Sequence, residues 1–190
     1  IIIAYLLGNI STSTIIARKM FNVDIRTQGS GNPGSTNVLR TLGKKAGAMT
    51  FAGDLLKGLV AVLIARGIAK LTGIDETIAA YVAVVAVVAG HNWPAFLRFK
   101  GGKGVIVGIT TAVILDKKIA LVCIIAGGIV ILVTRTVAMG TLSGLALYVI
   151  MTIVMMPNYI FPIIVISLIV MFKHRANIQR MIAKQEEKLW

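Results

Sequence analysis

Outside its apolar runs, the residues of unusual composition fall in three short stretches. The first is Gly29-Ser30-Gly31-Asn32-Pro33-Gly34-Ser35-Thr36-Asn37-Val38-Leu39-Arg40, whose three glycines free the backbone to turn its N–H groups toward a ligand. Pro33 and the Ser, Thr and Asn residues after it favour the start of a short helix, whose N-terminus attracts an anion. The second runs from Gly90-His91-Asn92-Trp93 to Lys100-Gly101-Gly102-Lys103-Gly104. Its end brings flexible backbone donors and two ammonium groups together, which is the chemistry that a phosphate asks for. The third is Lys173-His174-Arg175-Ala176-Asn177-Ile178-Gln179-Arg180. At helical spacing His174, Asn177 and Arg180 share a face, which can present an imidazole, an amide and a guanidinium to one ligand.

Each stretch also has a plainer reading: an interfacial turn, a basic loop that sets topology or attracts anionic lipid, and the basic end of a stop-transfer helix. Trp93, Phe96 and Phe99 resemble an interfacial aromatic belt. The first stretch matches Gly-x-Gly-x-x-Gly, but the dinucleotide fingerprint needs a strand before it, and here apolar spans stand on both sides. The second is not a Walker loop, because Gly104 follows Lys103 where Ser or Thr is required. There is no Gly-x-Ser-x-Gly turn, and the residues five after His91 and His174 are Phe96 and Gln179, so no His-x4-Asp pair exists. No His/Cys/carboxylate set has metal-ligand spacing. An enzyme built from these parts works by anion binding, orientation and one histidine.

The elements that must position these stretches are membrane spans. Apolar residues make up 57% of the 190, with 19 glycines besides, which excludes a water-soluble globule and a disordered chain. The net charge is +13 on a chain only 14% charged, so the charges are concentrated between apolar runs. Seven segments result, at about 1 to 17, 46 to 65, 77 to 92, 104 to 115, 119 to 134, 137 to 156 and 159 to 172. They place fifteen cationic residues on one side and four on the other, which makes the rich side cytoplasmic. Nothing repeats and no linker divides the chain, so residues 1–190 read as one domain. Asp54 and Lys57 stand three apart inside the second segment and read as an intramembrane structural pair in preference to a proton relay. Cys123 and the eight methionines read as packing.

On these three blocks, in this order and over nearly the whole chain, the sequence resembles the bacterial acyl-phosphate:glycerol-3-phosphate acyltransferases. The resemblance implies an all-α polytopic fold of seven transmembrane helices, with short interfacial helices and loops on the cytoplasmic side of the bacterial inner membrane. It implies transfer of an acyl chain from acyl phosphate to the sn-1 hydroxyl of glycerol 3-phosphate, giving lysophosphatidic acid and inorganic phosphate at the first step of phospholipid synthesis. Lys103, His174, Asn177 and Ser35 would then be catalytic, with Asn37, Arg40, His91, Lys100, Gly101, Gly102 and Gly104 binding substrate and Glu186 structural. Lys184 stands where the family usually has a glycine, and Ala138 and Thr141 replace common serines.

On this reading Lys103 and the amides of Gly101, Gly102 and Gly104 hold one phosphate, with Ser35 and Arg40 helping. Asn177 and His174 orient the acceptor, and the base is either His174 or a substrate phosphate oxygen. Neither cofactor, metal nor nucleic acid is expected, and the chain is expected to act as a monomer among membrane lipids. The competing reading is a transporter for a phosphorylated metabolite, supported by Asp54 and Lys57 and weakened by the absence of an inverted repeat. A third is a structural lipid-binding module.

Overall fold

Runs of Ile, Val, Leu and Ala in a medium without water must close their backbone hydrogen bonds along their own axis, and these runs are helices. The computed structural model describes residues 1–157 and 160–189, with Thr111 described by its backbone alone. Residue 159, the start of the seventh expected segment, and residue 190, the end of the expected domain, lie outside the described residues. Every regular element among the described residues is helical: α1 Ile2–Asn9, α2 Thr12–Phe21, α3 Ser35–Leu42, α4 Lys44–Thr72, α5 Glu76–Asn92, α6 Val105–Leu115, α7 Lys117–Thr134, α8 Val137–Met155, α9 Ile160–Lys173 and α10 Arg175–Ile182.

Among the described residues four helices are long and apolar enough to cross a membrane: Lys44–Thr72, Glu76–Leu97, Lys117–Thr134 and Val137–Met155. A fifth arises if α9 and α10, bent by 58° at their junction, form one span. Seven spans are therefore not confirmed. The first expected segment is two helices of 8 and 10 residues parted at Ile10–Ser11, and the fourth is an 11-residue helix. The chain divides into two compact units, 1–111 and 112–190.

In the first unit α1 lies along α5 at a crossing of glycines. A Cβ on Gly8 would overlap the Val87 carbonyl oxygen, and one on Gly90 would overlap that of Tyr5. Small residues at such a crossing let two backbones approach closely where lipid supplies no hydrophobic drive. Gly53 of α4 meets Thr12 at the start of α2, and Gly47 meets Leu39 of α3. Ile16, Ala17, Ile25, Val38 and Ala46 close a small core between these pieces. Asp75 caps α5 by accepting from the Thr77 and Ile78 amides at 2.8 and 2.9 Å.

In the second unit α7 and α8 form a hairpin about Arg135, which takes the left-handed conformation at φ 57°. Gly127, Gly140 and Gly144 set their contact, each lying against backbone of the facing helix. Cys123 is buried in that seam, in keeping with its expected packing role. The tail returns to the same turn, where the Leu189 amide donates to the Arg135 carbonyl at 2.7 Å.

Candidate functional site

The first block is organised by Asn37. Its Nδ2 donates to the Gln28 carbonyl at 2.9 Å and its Oδ1 accepts from the Ser30 amide at 3.0 Å. The side chain is 2% exposed, so its observed task is to hold the loop closed. Gly29 sits at φ 52° with Asn37 and Thr41 where a Cβ would be, and both conditions demand glycine. The expected short helix is α3, with Gly34 as its N-cap and Ser35 in its first turn. At the base of the loop Asp24 accepts from Arg26 Nη2 at 2.6 Å and from Arg18 Nη2 at 3.3 Å. The hydrogen bond from the Arg26 side chain, aided by the Arg26 amide and by Arg18, holds the Asp24 carboxyl well below the usual carboxylate range. Two guanidiniums are thereby fixed beside the glycine turn. Arg40 is half-buried in the last turn of α3.

The second block folds back onto the helix that precedes it. After Pro94 the chain makes a 3-10 turn over Ala95–Leu97 and reverses through Arg98 and Phe99, both left-handed at φ 54° and 61°. The Gly101 amide then donates to the Asn92 carbonyl at 3.3 Å and the Gly102 amide to that of His91 at 3.1 Å. This corrects the expectation that both amides point at a ligand: they fasten the loop to α5. A Cβ on Gly102 would overlap the His91 imidazole at Nε2, and Gly104, at φ 77°, lies against the Asn92 amide group. Gly104 also stands just before α6, its carbonyl accepting from Gly108 at 2.7 Å. Lys103, half-buried, thus stands one residue before a helix N-terminus, where ammonium and helix dipole favour the same anion. Phe96 and Phe99 are exposed and Trp93 is half-buried.

Beneath this loop lies a buried polar network. Lys57 Nζ is 2.8 Å from Asp54 Oδ1, 2.8 Å from the Ile10 carbonyl oxygen and 2.8 Å from His91 Nδ1. Thr12 Oγ1 donates to Asp54 at 3.3 Å. Asp54 and Lys57 are 2% and 5% exposed, so their charges face the helices. The Ile10 carbonyl belongs to the break between α1 and α2. A carbonyl at the end of a helix has no partner within it, and the Lys57 ammonium supplies one. Sequence reasoning paired Asp54 with Lys57 but missed their attachment to His91 and to Ile10. The pointer was the presence of ionisable residues within an apolar span.

In the second unit His174 sits at the bend between α9 and α10, 2% exposed, with Nδ1 2.8 Å from the Val170 carbonyl oxygen. A carbonyl only accepts, so in the neutral ring the proton is on Nδ1 and the lone pair on Nε2. Asn177 Nδ2 and Arg180 Nε both donate to Glu186, at 2.5 and 2.8 Å. Asn177 and Arg180 thus meet at one carboxylate, and Glu186 ties the amide and guanidinium together. Lys184, which starts the hook that carries Glu186 back, is left-handed at φ 56°, a conformation natural to glycine.

A family model described as glycerol-3-phosphate acyltransferase matches residues 1–184. A protein of Clostridioides difficile (strain 630) named glycerol-3-phosphate acyltransferase is 50% identical over 190 residues, covering 99% of this chain and 93% of that one. One of the same name from Thermoanaerobacter sp. (strain X514) is 42% identical over 191 residues, with the same coverage of 99% and 93%. Two solved structures of PlsY, described as an integral membrane glycerol 3-phosphate acyltransferase, match with TM-scores of 0.88 and 0.85. They are the glycerol 3-phosphate form and the lysophosphatidic acid form, each 36% identical and covering 98% of this chain and 92% of the other.

Proposed function

This chain belongs to the glycerol-3-phosphate acyltransferase family, whose solved relative PlsY is described as an integral membrane enzyme, and from that premise we propose direct acyl transfer from acyl phosphate to the sn-1 hydroxyl of glycerol 3-phosphate. The observation that carries this reading is the setting of Lys103, between a glycine turn fastened to α5 and the N-terminus of α6. That arrangement suits a phosphoryl group and offers no nucleophile of its own.

An acyl phosphate is already an activated mixed anhydride. The acceptor hydroxyl attacks the acyl carbon, the bond from that carbon to the bridging phosphate oxygen breaks, and inorganic phosphate leaves with the electron pair. The hydroxyl proton goes to His174 Nε2 or to a phosphate oxygen. Lys103, Lys100 and the start of α6 hold one phosphate, with Ser35 and Arg40 adding a hydroxyl and a guanidinium. His174 and Asn177 serve the same reaction by orienting the acceptor. Asn37, Gly101, Gly102, Gly104 and His91 keep the binding loops in shape, and Glu186 keeps Asn177 in place. Holding both reactants in attack geometry removes about 7–11 kcal/mol of barrier, whereas positioned proton transfer contributes about 10²–10⁴-fold. Geometry is the larger factor, in accord with a site rich in anion binders and poor in bases.

The cation-rich loops would face the cytoplasm of a bacterial inner membrane, the chain acting as a single-domain monomer that takes its acyl donor from the bilayer. Asp54 and Lys57, the main support for a transporter, have partners in Ile10 and His91 and so do not call for a transport path. Purified protein in detergent, given acyl phosphate and labelled glycerol 3-phosphate, tests the proposal. Labelled lysophosphatidic acid supports it; uptake of label into vesicles without any lysolipid supports transport instead.

A further inference from the structure

Lys57 carries three N–H donors and no acceptor, and it has three acceptors at 2.8 Å: a carboxylate, a carbonyl and an imidazole nitrogen. The set is complete only if His91 Nδ1 presents its lone pair. A proton on Nδ1 would face the ammonium across 2.8 Å, and the Asp54 oxygen, at 3.7 Å, is too distant to hold it. The ring is therefore neutral, with its proton on Nε2, the nitrogen that lies against Gly102. His174 is held the other way, its Nδ1 proton on the Val170 carbonyl.

We propose that Asp54 and Lys57 are positioning residues for acyl transfer, holding His91 as the Nε2–H tautomer against the glycine turn that precedes Lys103. The role in transfer rests on the activity proposed above; the tautomer does not. Asp54, 2.8 Å away, aims Lys57. Lys57 orients the imidazole and ties it to the break between α1 and α2. His91 in turn sets the turn through its own carbonyl, which accepts the Gly102 amide at 3.1 Å, and through ring contact with Gly102. A neutral pair in place of Asp54 and Lys57 removes the buried charges and the ammonium that Nδ1 of His91 faces. This differs from a stabilising ion pair, whose task a neutral pair of similar size takes over.

The chain has two histidines, so ¹⁵N-histidine labelling gives two side-chain spin systems, assigned by comparison with His174→Gln. In the wild-type protein we expect protonated Nε2 and unprotonated Nδ1 for His91, and the reverse for His174. A proton on Nδ1 of His91, or a rapidly exchanging mixture, overturns the proposal whatever the activity. Lys57→Met and Asp54→Asn/Lys57→Met are then compared. We expect the double variant to regain thermal stability relative to the single one while kcat stays at least about tenfold below wild type. Its His91 signals should become a tautomer mixture. Recovery of kcat together with stability would show a structural pair only and overturn the positioning role. Wild-type protein with the expected tautomer but no lysophosphatidic acid production would sink the proposed activity and leave the clamp standing.

Discussion

Gly8 of α1 and Gly90 of α5 lie so close that a methyl group on either would overlap the backbone of the other helix. The crossing brings the Ile10 carbonyl, at the end of α1, and His91, the next residue of α5, within reach of one ammonium group. Gly90→Ala should separate the helices and lower stability by about 1–3 kcal/mol, the usual cost of overpacking. Thermal unfolding in detergent measures it. An unchanged midpoint would contradict the close crossing.

Gly102→Ala drives a Cβ into the His91 ring, so the turn before Lys103 must shift. A kcat/KM for glycerol 3-phosphate or acyl phosphate lowered at least about tenfold is expected, since a misplacement of 1 Å can cost about 10²-fold. Gly67→Ala in α4 is the control, because nothing lies within 4 Å of its added Cβ. Steady-state kinetics of the two variants should diverge; equal activities would contradict the packing described for the turn.

The Asp24 cluster gives a dependence on pH. Its carboxyl is held low in the fold by Arg26, so its stabilising contribution is fully present above the unfolded value of about 3.9 and is lost as pH falls toward the folded one. Wild type should therefore exceed Asp24→Asn in unfolding midpoint by a constant margin from pH 7 to about 4.5, narrowing below about 4. A margin that shrinks already between pH 7 and 5 would rule out this pairing.

Glu186 and Lys184 should respond oppositely. Glu186→Ala removes the acceptor of both Asn177 and Arg180, so activity and stability should both fall. Lys184→Gly relieves a left-handed lysine, worth about 1 kcal/mol, and should leave stability equal or higher. Unfolding midpoints of the two variants separate these outcomes from a tail that makes no difference.

Much of this was legible because the signals are local. Pro33 before Ser35 announced α3, and apolar runs between charges announced the helices. The family resemblance, which implies a glycine at the Lys184 position, pointed to its left-handed backbone. What could not be read depends on distant partners. Ile10-Ser11-Thr12 carries no helix breaker, and the break there is stabilised by Lys57, 47 residues later. The Gly101 and Gly102 amides looked available because glycine promises open backbone. Only the reversal at Arg98 and Phe99 turns them back onto α5. The Asn37 amide closes its own loop through partners seven and nine residues away, which no local pattern announces.

The account stands on transfer that needs no acyl-enzyme, and phosphate release on mixing purified protein with acyl phosphate, with and without glycerol 3-phosphate, tests that most directly. Phosphate should appear only when the acceptor is present, one for each lysophosphatidic acid formed, with no acyl group left on the protein. A burst of phosphate in the absence of acceptor, matched by acylated protein, would contradict it.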